Sequence, residues 1–126
     1  MPRFSRLICA ALALVLAAQA ELASAAPVNV VTTVAYRYLP GDSDGSIPLV
    51  IDQGDQLHLV NADPLGTHNL VSLDTADGVP LFDSGEQTML GTTSEVLGVP
   101  ALGPGAYVFY CSVHGFDSMN GVLEVR

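Results

Sequence analysis

Gly105-Ala106-Tyr107-Val108-Phe109-Tyr110-Cys111 runs into Ser112-Val113-His114-Gly115-Phe116-Asp117-Ser118-Met119 and on to Gly121-Val122-Leu123-Glu124-Val125. In an extended strand Tyr107, Phe109 and Cys111 share one face, and Val108 and Tyr110 share the other. Cys111 therefore ends a strand with its sulfur on a defined side. The segment after Gly121 reads as a second strand, so the loop between them is braced at both ends. Residues on such a loop are held in fixed geometry.

Upstream, short apolar or alternating runs separated by Gly, Pro, Asn and Asp recur at roughly the eight- to twelve-residue spacing of an all-β sandwich or barrel. Strands are predicted near Val28 to Tyr36, Leu49 to Ile51, Gln56 to Asn61, Asn69 to Leu73, Thr92 to Val96, Tyr107 to Cys111 and Gly121 to Val125. Gln53-Gly54-Asp55, Ala62-Asp63-Pro64, Asp77-Gly78 and Gly103-Pro104-Gly105 read as turns, because Gly and Pro supply backbone angles that strands lack. No stretch after residue 26 has the period of a long amphipathic helix, and there are no repeats or linkers.

Arg3 and Arg6 precede a twelve-residue apolar run, Leu7 to Ala18, and then Ala23-Ser24-Ala25 with the small-x-small form of a signal-peptidase site. Residues 1–25 are read as a signal peptide, with cuts after Ala20 or Ala26 as alternatives, and residues 26–126 as one domain. The apolar run is short of the ~20 residues that span a bilayer. Arg3 and Arg6 are not adjacent, which gives no twin-arginine signal, and Cys9 lacks the upstream leucine of a lipoprotein signal. The reading is an exported protein, periplasmic or extracellular, with no membrane span in its mature form. Roughly a hundred residues remain, enough for one small core.

The exported chain holds Cys111 as its one cysteine and therefore no internal disulfide. It carries Arg37 and Arg126 against twelve acids, a formal charge of minus ten, and no lysine. Such a surface repels nucleic acid and anionic lipid and steers cationic partners, less strongly as salt rises.

Cys111, His114 and Met119 stand in a C-x2-H-x4-M run. Thiolate, imidazole and thioether together select copper, and a second imidazole would complete a trigonal His2Cys site with a weak axial Met. Two histidines remain. His58 lies in Gln56-Leu57-His58-Leu59-Val60, on the strand face opposite Leu57 and Leu59. His68 follows the turn Pro64-Leu65-Gly66-Thr67 at a strand end, where loops converge and binding residues gather. His68 is the preferred ligand. Asn69 and Ser112 each follow a ligand and carry polar groups able to tie the two loops together.

Tyr110-Cys111-Ser112-Val113-His114 with Met119, and His68-Asn69 upstream, resemble the plastocyanin-like cupredoxins, whose copper loop has the same C-x2-H-x4-M spacing. The resemblance implies a Greek-key β-sandwich of seven or eight strands, one copper ion, and transfer of single electrons between redox proteins. Its metal residues would be His68, Cys111, His114 and Met119. Val113 stands where plastocyanins usually have Pro, and Asp117-Ser118 replaces the usual small approach to Met. Amicyanin-like loops are shorter before Met, and azurin-like loops longer between Cys and His.

Copper storage or delivery is the alternative use of the same ligands. A multicopper enzyme would need further metal sites and His-x-His pairs that three histidines in one domain do not build, so the reading is not an enzyme. The expected partners are a redox donor and acceptor with basic surfaces, cytochrome c-like or a terminal reductase or oxidase, approached by a monomer.

Overall fold

The computed structural model describes residues 25–126. The segment read as a signal peptide, apart from Ala25, lies outside the described residues. Ten strands follow in order: β1 (Val28–Val34), β2 (Arg37–Leu39), β3 (Leu49–Ile51), β4 (Gln56–Asn61), β5 (Val71–Ser72), β6 (Thr75–Ala76), β7 (Val79–Pro80), β8 (Thr93–Glu95), β9 (Gly105–Tyr110) and β10 (Asn120–Val125). One sheet has the order β2-β1-β4-β8, a second has β3-β10-β9-β5, and β6-β7 form a small separate ribbon.

Alternation along the strands dictates how the sheets meet. In β4, Leu57 and Leu59 are buried while His58 and Val60 are only half-buried. In β10, Gly121, Leu123 and Val125 are buried and Val122 and Glu124 exposed. The inward residues of both sheets, among them Val31, Leu49, Ile51, Leu57, Leu59, Phe109, Leu123 and Val125, make one core. This is a β-sandwich. β1 lies parallel to β4 and β3 parallel to β10. Neither pair is joined directly, because the chain between them crosses to the opposite sheet.

The strands that brace the sequence's C-x2-H-x4-M loop are the central pair of the second sheet. β9 and β10 run antiparallel from Gly105↔Val125 to Tyr110↔Asn120. One further bond, from the Cys111 N–H to the Met119 carbonyl at 3.0 Å, closes the ladder beyond them. The chain between those two residues is a closed loop at one end of the sandwich, tightened by the Gly115 N–H on Cys111 O at 2.9 Å.

The structure departs from the sequence reading in three places. The predicted strand from Val28 to Tyr36 stops at Val34, turns through Ala35 and Tyr36, and returns as β2. Both turn residues have left-handed backbone, φ 45° and 65°, so the bend lacks the Gly, Asn or Asp that usually signals it. Asn69 to Leu73 reduces to Val71–Ser72 in the ladder, with the Asn69 carbonyl taken by the Tyr38 hydroxyl and the Leu70 backbone by Ser84. The Asp77-Gly78 turn, recognised as such, joins two strands of only two residues each, too short for a periodicity to register.

Phe109 is fully buried and meets Tyr38 edge to face, with ring centroids 4.8 Å apart. Phe109→Ala is expected to cost about 3–5 kcal/mol. Urea unfolding of the metal-free protein measures this; a loss below ~1 kcal/mol would show that the core closes without this ring.

Candidate metal centre

Three side chains from two loops converge at the β9–β10 end of the sandwich. One ligating atom each from His68, Cys111 and His114 lie within 4.8 Å of one another. Cys111 Sγ is 3.3 Å from His114 Nδ1. The two imidazole centroids stand 4.9 Å apart at a 41° tilt. Cys111 is fully buried, His114 half-buried.

His68 is placed by backbone bonds on both of its sides. Its N–H donates to Gln87 O at 3.1 Å, and its carbonyl accepts from Gln87 N–H at 2.7 Å. The loop before it is organised by buried Asn61, whose Nδ2 donates to Gly66 O at 2.8 Å and Gln87 O at 3.0 Å. Asn61 Oδ1 accepts from the Asp63 N–H at 2.9 Å. That turn brings Asp63 Oδ2 to 2.9 Å from His68 Nε2.

The consequence is a defined tautomer. A carboxylate only accepts, so Nε2 carries a proton, and in the neutral ring Nδ1 then keeps a lone pair. His68 has no exposed surface, and its Nδ1 is the one buried side-chain nitrogen or oxygen among the described residues with no hydrogen-bond partner. Leaving a buried acceptor unmatched costs about 1–3 kcal/mol. An electron-pair acceptor at that atom, shared with the thiolate and the second imidazole, accounts for it. Two imidazoles and a thiolate are a donor set suited to one copper ion.

Gly66 is required here. A Cβ at that position would lie 2.5 Å from Asp63 Oδ2 and 2.6 Å from His68 Nε2, displacing the very contact that orients the ring. The two ligand-bearing loops are also tied to each other. Asn69 Nδ2 donates to Ser112 Oγ at 2.7 Å, and the Ser112 N–H donates to Asn69 Oδ1 at 2.8 Å. The Tyr38 hydroxyl donates to the Asn69 carbonyl from within the core.

Of the residues singled out in sequence, His68, Cys111 and His114 are brought together. Met119 is buried, and its carbonyl accepts the Cys111 N–H. His58 lies within β4 opposite Glu95 and takes no part in the cluster. Two contributors were not anticipated. Asp63 was read only as a turn residue, although an acid five positions before a histidine across a turn is a usable signal. Tyr36, read as a strand residue, packs edge-on against His114 at 4.6 Å between centroids. No local pattern announces that contact.

Burial lowers the His114 pKa from its ordinary value, with the neighbouring His68 adding to the effect and Asp63 opposing it. The hydrogen bond from His68, ahead of that from the Leu65 N–H, holds the Asp63 carboxyl below its ordinary value.

No protein-family model and no curated protein matches the sequence. Solved structures do. The copper-containing nitrite reductase of Thermus scotoductus SA-01 is 25% identical at TM-score 0.56 over 79% of this chain and 22% of that one. The chain thus spans about a fifth of that enzyme's length. A purple cupredoxin from Nitrosopumilus maritimus is 25% identical at TM-score 0.54, over 77% of this chain and 98% of that one. A reduced amicyanin variant is 21% identical at TM-score 0.58, over 85% and 88%. The chain has the cupredoxin fold.

Two measurements follow. Asp63→Ala removes the acceptor that fixes the His68 tautomer, and copper affinity is expected to fall about 10- to 100-fold in a chelator-competition titration. An unchanged affinity would mean that the ring is held without the carboxylate. In the metal-free protein the lowered His114 pKa means that the unfolded chain takes up this proton first. That part of the stability is complete above pH ~6.5 and declines as pH falls through the lowered folded value. Urea unfolding between pH 8 and 5 should show the decline, and His114→Gln should flatten it.

Proposed function

We propose that this protein is an exported mononuclear type 1 copper protein that carries single electrons between redox partners. The observation that carries the reading is a buried histidine, His68, whose Nδ1 has no hydrogen-bond partner, in a cluster where one ligating atom each of His68, Cys111 and His114 lie within 4.8 Å of one another. In this reading His68, Cys111 and His114 would hold the copper ion, and Met119 would add a weak thioether contact. Bound copper supplies a one-electron couple, Cu(I)/Cu(II).

The remaining work belongs to the protein. Asp63 orients one imidazole, the Asn69–Ser112 pair keeps the two loops in register, and the β9–β10 ladder pins Cys111. A donor set held this firmly resists rearrangement when its charge changes, which is what fast electron exchange requires. A solved cupredoxin that matches 77% of this chain over 98% of its own length supports a self-contained carrier. The nitrite reductase likeness is to a fifth of a longer chain. Among the described residues the third histidine, His58, stands apart from the site, so these histidines do not supply a second metal centre. The protein is read as a carrier and not as an enzyme.

The two ligand-bearing loops expose apolar side chains, Leu65 before His68 and Val113 and Phe116 beside His114 in the chain, with Leu65 96% exposed. This apolar rim is the docking surface of the reading, small and transient as redox contacts are. Both described arginines are already paired, Arg37 with Asp42 and Asp44 and Arg126 with Glu124. The excess of carboxylates is therefore unopposed and selects donors and acceptors with basic surfaces, such as a c-type cytochrome or a terminal reductase. In this reading the N-terminal segment is a signal peptide, and the encounter takes place outside the cytoplasm.

The visible spectrum of the mature protein after adding Cu(II) tests the site. An intense thiolate-to-copper charge-transfer band in the orange-red is expected, and Cys111→Ser should abolish it; a wild-type protein without the band sinks the reading. Stopped-flow oxidation of the reduced protein by a basic c-type cytochrome tests the role. The rate should fall as ionic strength rises from ~0.01 M to ~0.15 M. Copper that passes to an acceptor protein faster than electrons do would instead mark storage or delivery.

A further inference from the structure

The two imidazoles of the centre are held by different means. His68 is fully buried, with its Nε2 bonded to Asp63. His114 is half-exposed on the loop, and among the hydrogen bonds of the described residues its ring has a single contact, Nδ1 to the Cys111 sulfur. No acceptor fixes its other nitrogen. What lies against it is the ring of Tyr36, edge-on at 4.6 Å and 85°, which also reaches His68 at 6.2 Å and 86°.

Tyr36 gets there by an unfavourable backbone. Val34 pairs with Arg37, so Ala35 and Tyr36 are a two-residue hairpin loop with φ 45° and 65°. Such loops follow the strand twist as type I′ or II′ turns, and the form with left-handed angles at both positions, adopted here, has Asn-Gly as its natural choice. A bulky side chain in that region is an outlier, and strain of this kind is retained where the surrounding structure has a use for the residue. The ring is also 55% exposed, so burial does not account for its position.

We infer that Tyr36 is a positioning residue that holds the His114 ring in place and shields the outer side of the metal centre, at a cost to the stability of the β1–β2 turn. The inference rests on the copper reading above. It assigns the role to the ring and not the hydroxyl, because the contact is ring to ring. It also assigns the turn an unfavourable conformation that glycine relieves without restoring the shield.

Four copper-loaded proteins test it: the wild type, Tyr36→Phe, Tyr36→Ala and Tyr36→Gly. The rate at which EDTA strips Cu(II), followed by loss of the charge-transfer band, should be the same for wild type and Tyr36→Phe. It should be roughly 2- to 10-fold faster for Tyr36→Ala and Tyr36→Gly, the factor that corresponds to one edge-to-face aromatic contact. In the metal-free state Tyr36→Gly should melt about 4–8 °C above Tyr36→Ala, since both lack the ring and only glycine relieves the turn. Equal stripping rates in all four loaded proteins would overturn the shielding role, and equal melting temperatures for the Ala and Gly variants would overturn the strained turn. A wild type that never develops the band is a different result: it removes the copper reading, and this inference with it.

Discussion

A fully buried imidazole with one nitrogen bonded and the other bare constrains everything around it. His68 is held in this state by Asp63, and the loop that presents Asp63 is in turn organised by Asn61. The arrangement needs Gly66, where any side chain would intrude between the carboxylate and the ring. It also needs Gln87, whose paired backbone bonds hold the His68 backbone in an isolated bridge. Each of these features is a departure from regular β-structure, and together they leave one buried ring nitrogen without a partner. An unmet acceptor in a core is a penalty unless something supplies the missing partner.

The second half of the centre is built on opposite terms. Cys111 and His114 come from one short loop closed by a backbone bond at the end of a long antiparallel ladder. Their spacing is local, and the ladder does the positioning. His114 remains near the surface, where a redox partner can come close, and it lacks the hydrogen bond that secures His68. The hairpin at the other sheet's edge supplies an aromatic ring in its place. Rigidity at the buried ligand and a packed but accessible exterior ligand suit a site that must hold a metal yet exchange an electron across its surface.

The two ligand-bearing loops expose the apolar side chains Leu65, Val113 and Phe116, while the described arginines are tied up in ion pairs. Apolar contact at the site and a diffuse negative field around it act over different ranges. The field steers an approaching cation over about a Debye length, ~8–10 Å in moderate salt, and the apolar rim acts only on contact. Such a division favours encounters that form quickly and part quickly.

Sequence alone determined the all-β class, the bounds of β3 and β4, and the cluster of Cys111 and His114, because period-two alternation and spacing within one loop are local properties of the chain. It also favoured His68 over His58, since strand alternation turns His58 away from Leu57 and Leu59. The Asn69 and Ser112 side chains were legible as groups able to tie the two ligand loops together, and they do so by bonding to each other. Tertiary structure decided the rest. Asp63 meets His68 because a turn closes on it, and Tyr36 meets His114 because a hairpin at the edge of one sheet folds over a loop of the other. Contacts between segments far apart in the chain leave no periodicity, and a turn made by Ala35 and Tyr36 in left-handed backbone carries none of the residues by which turns are recognised.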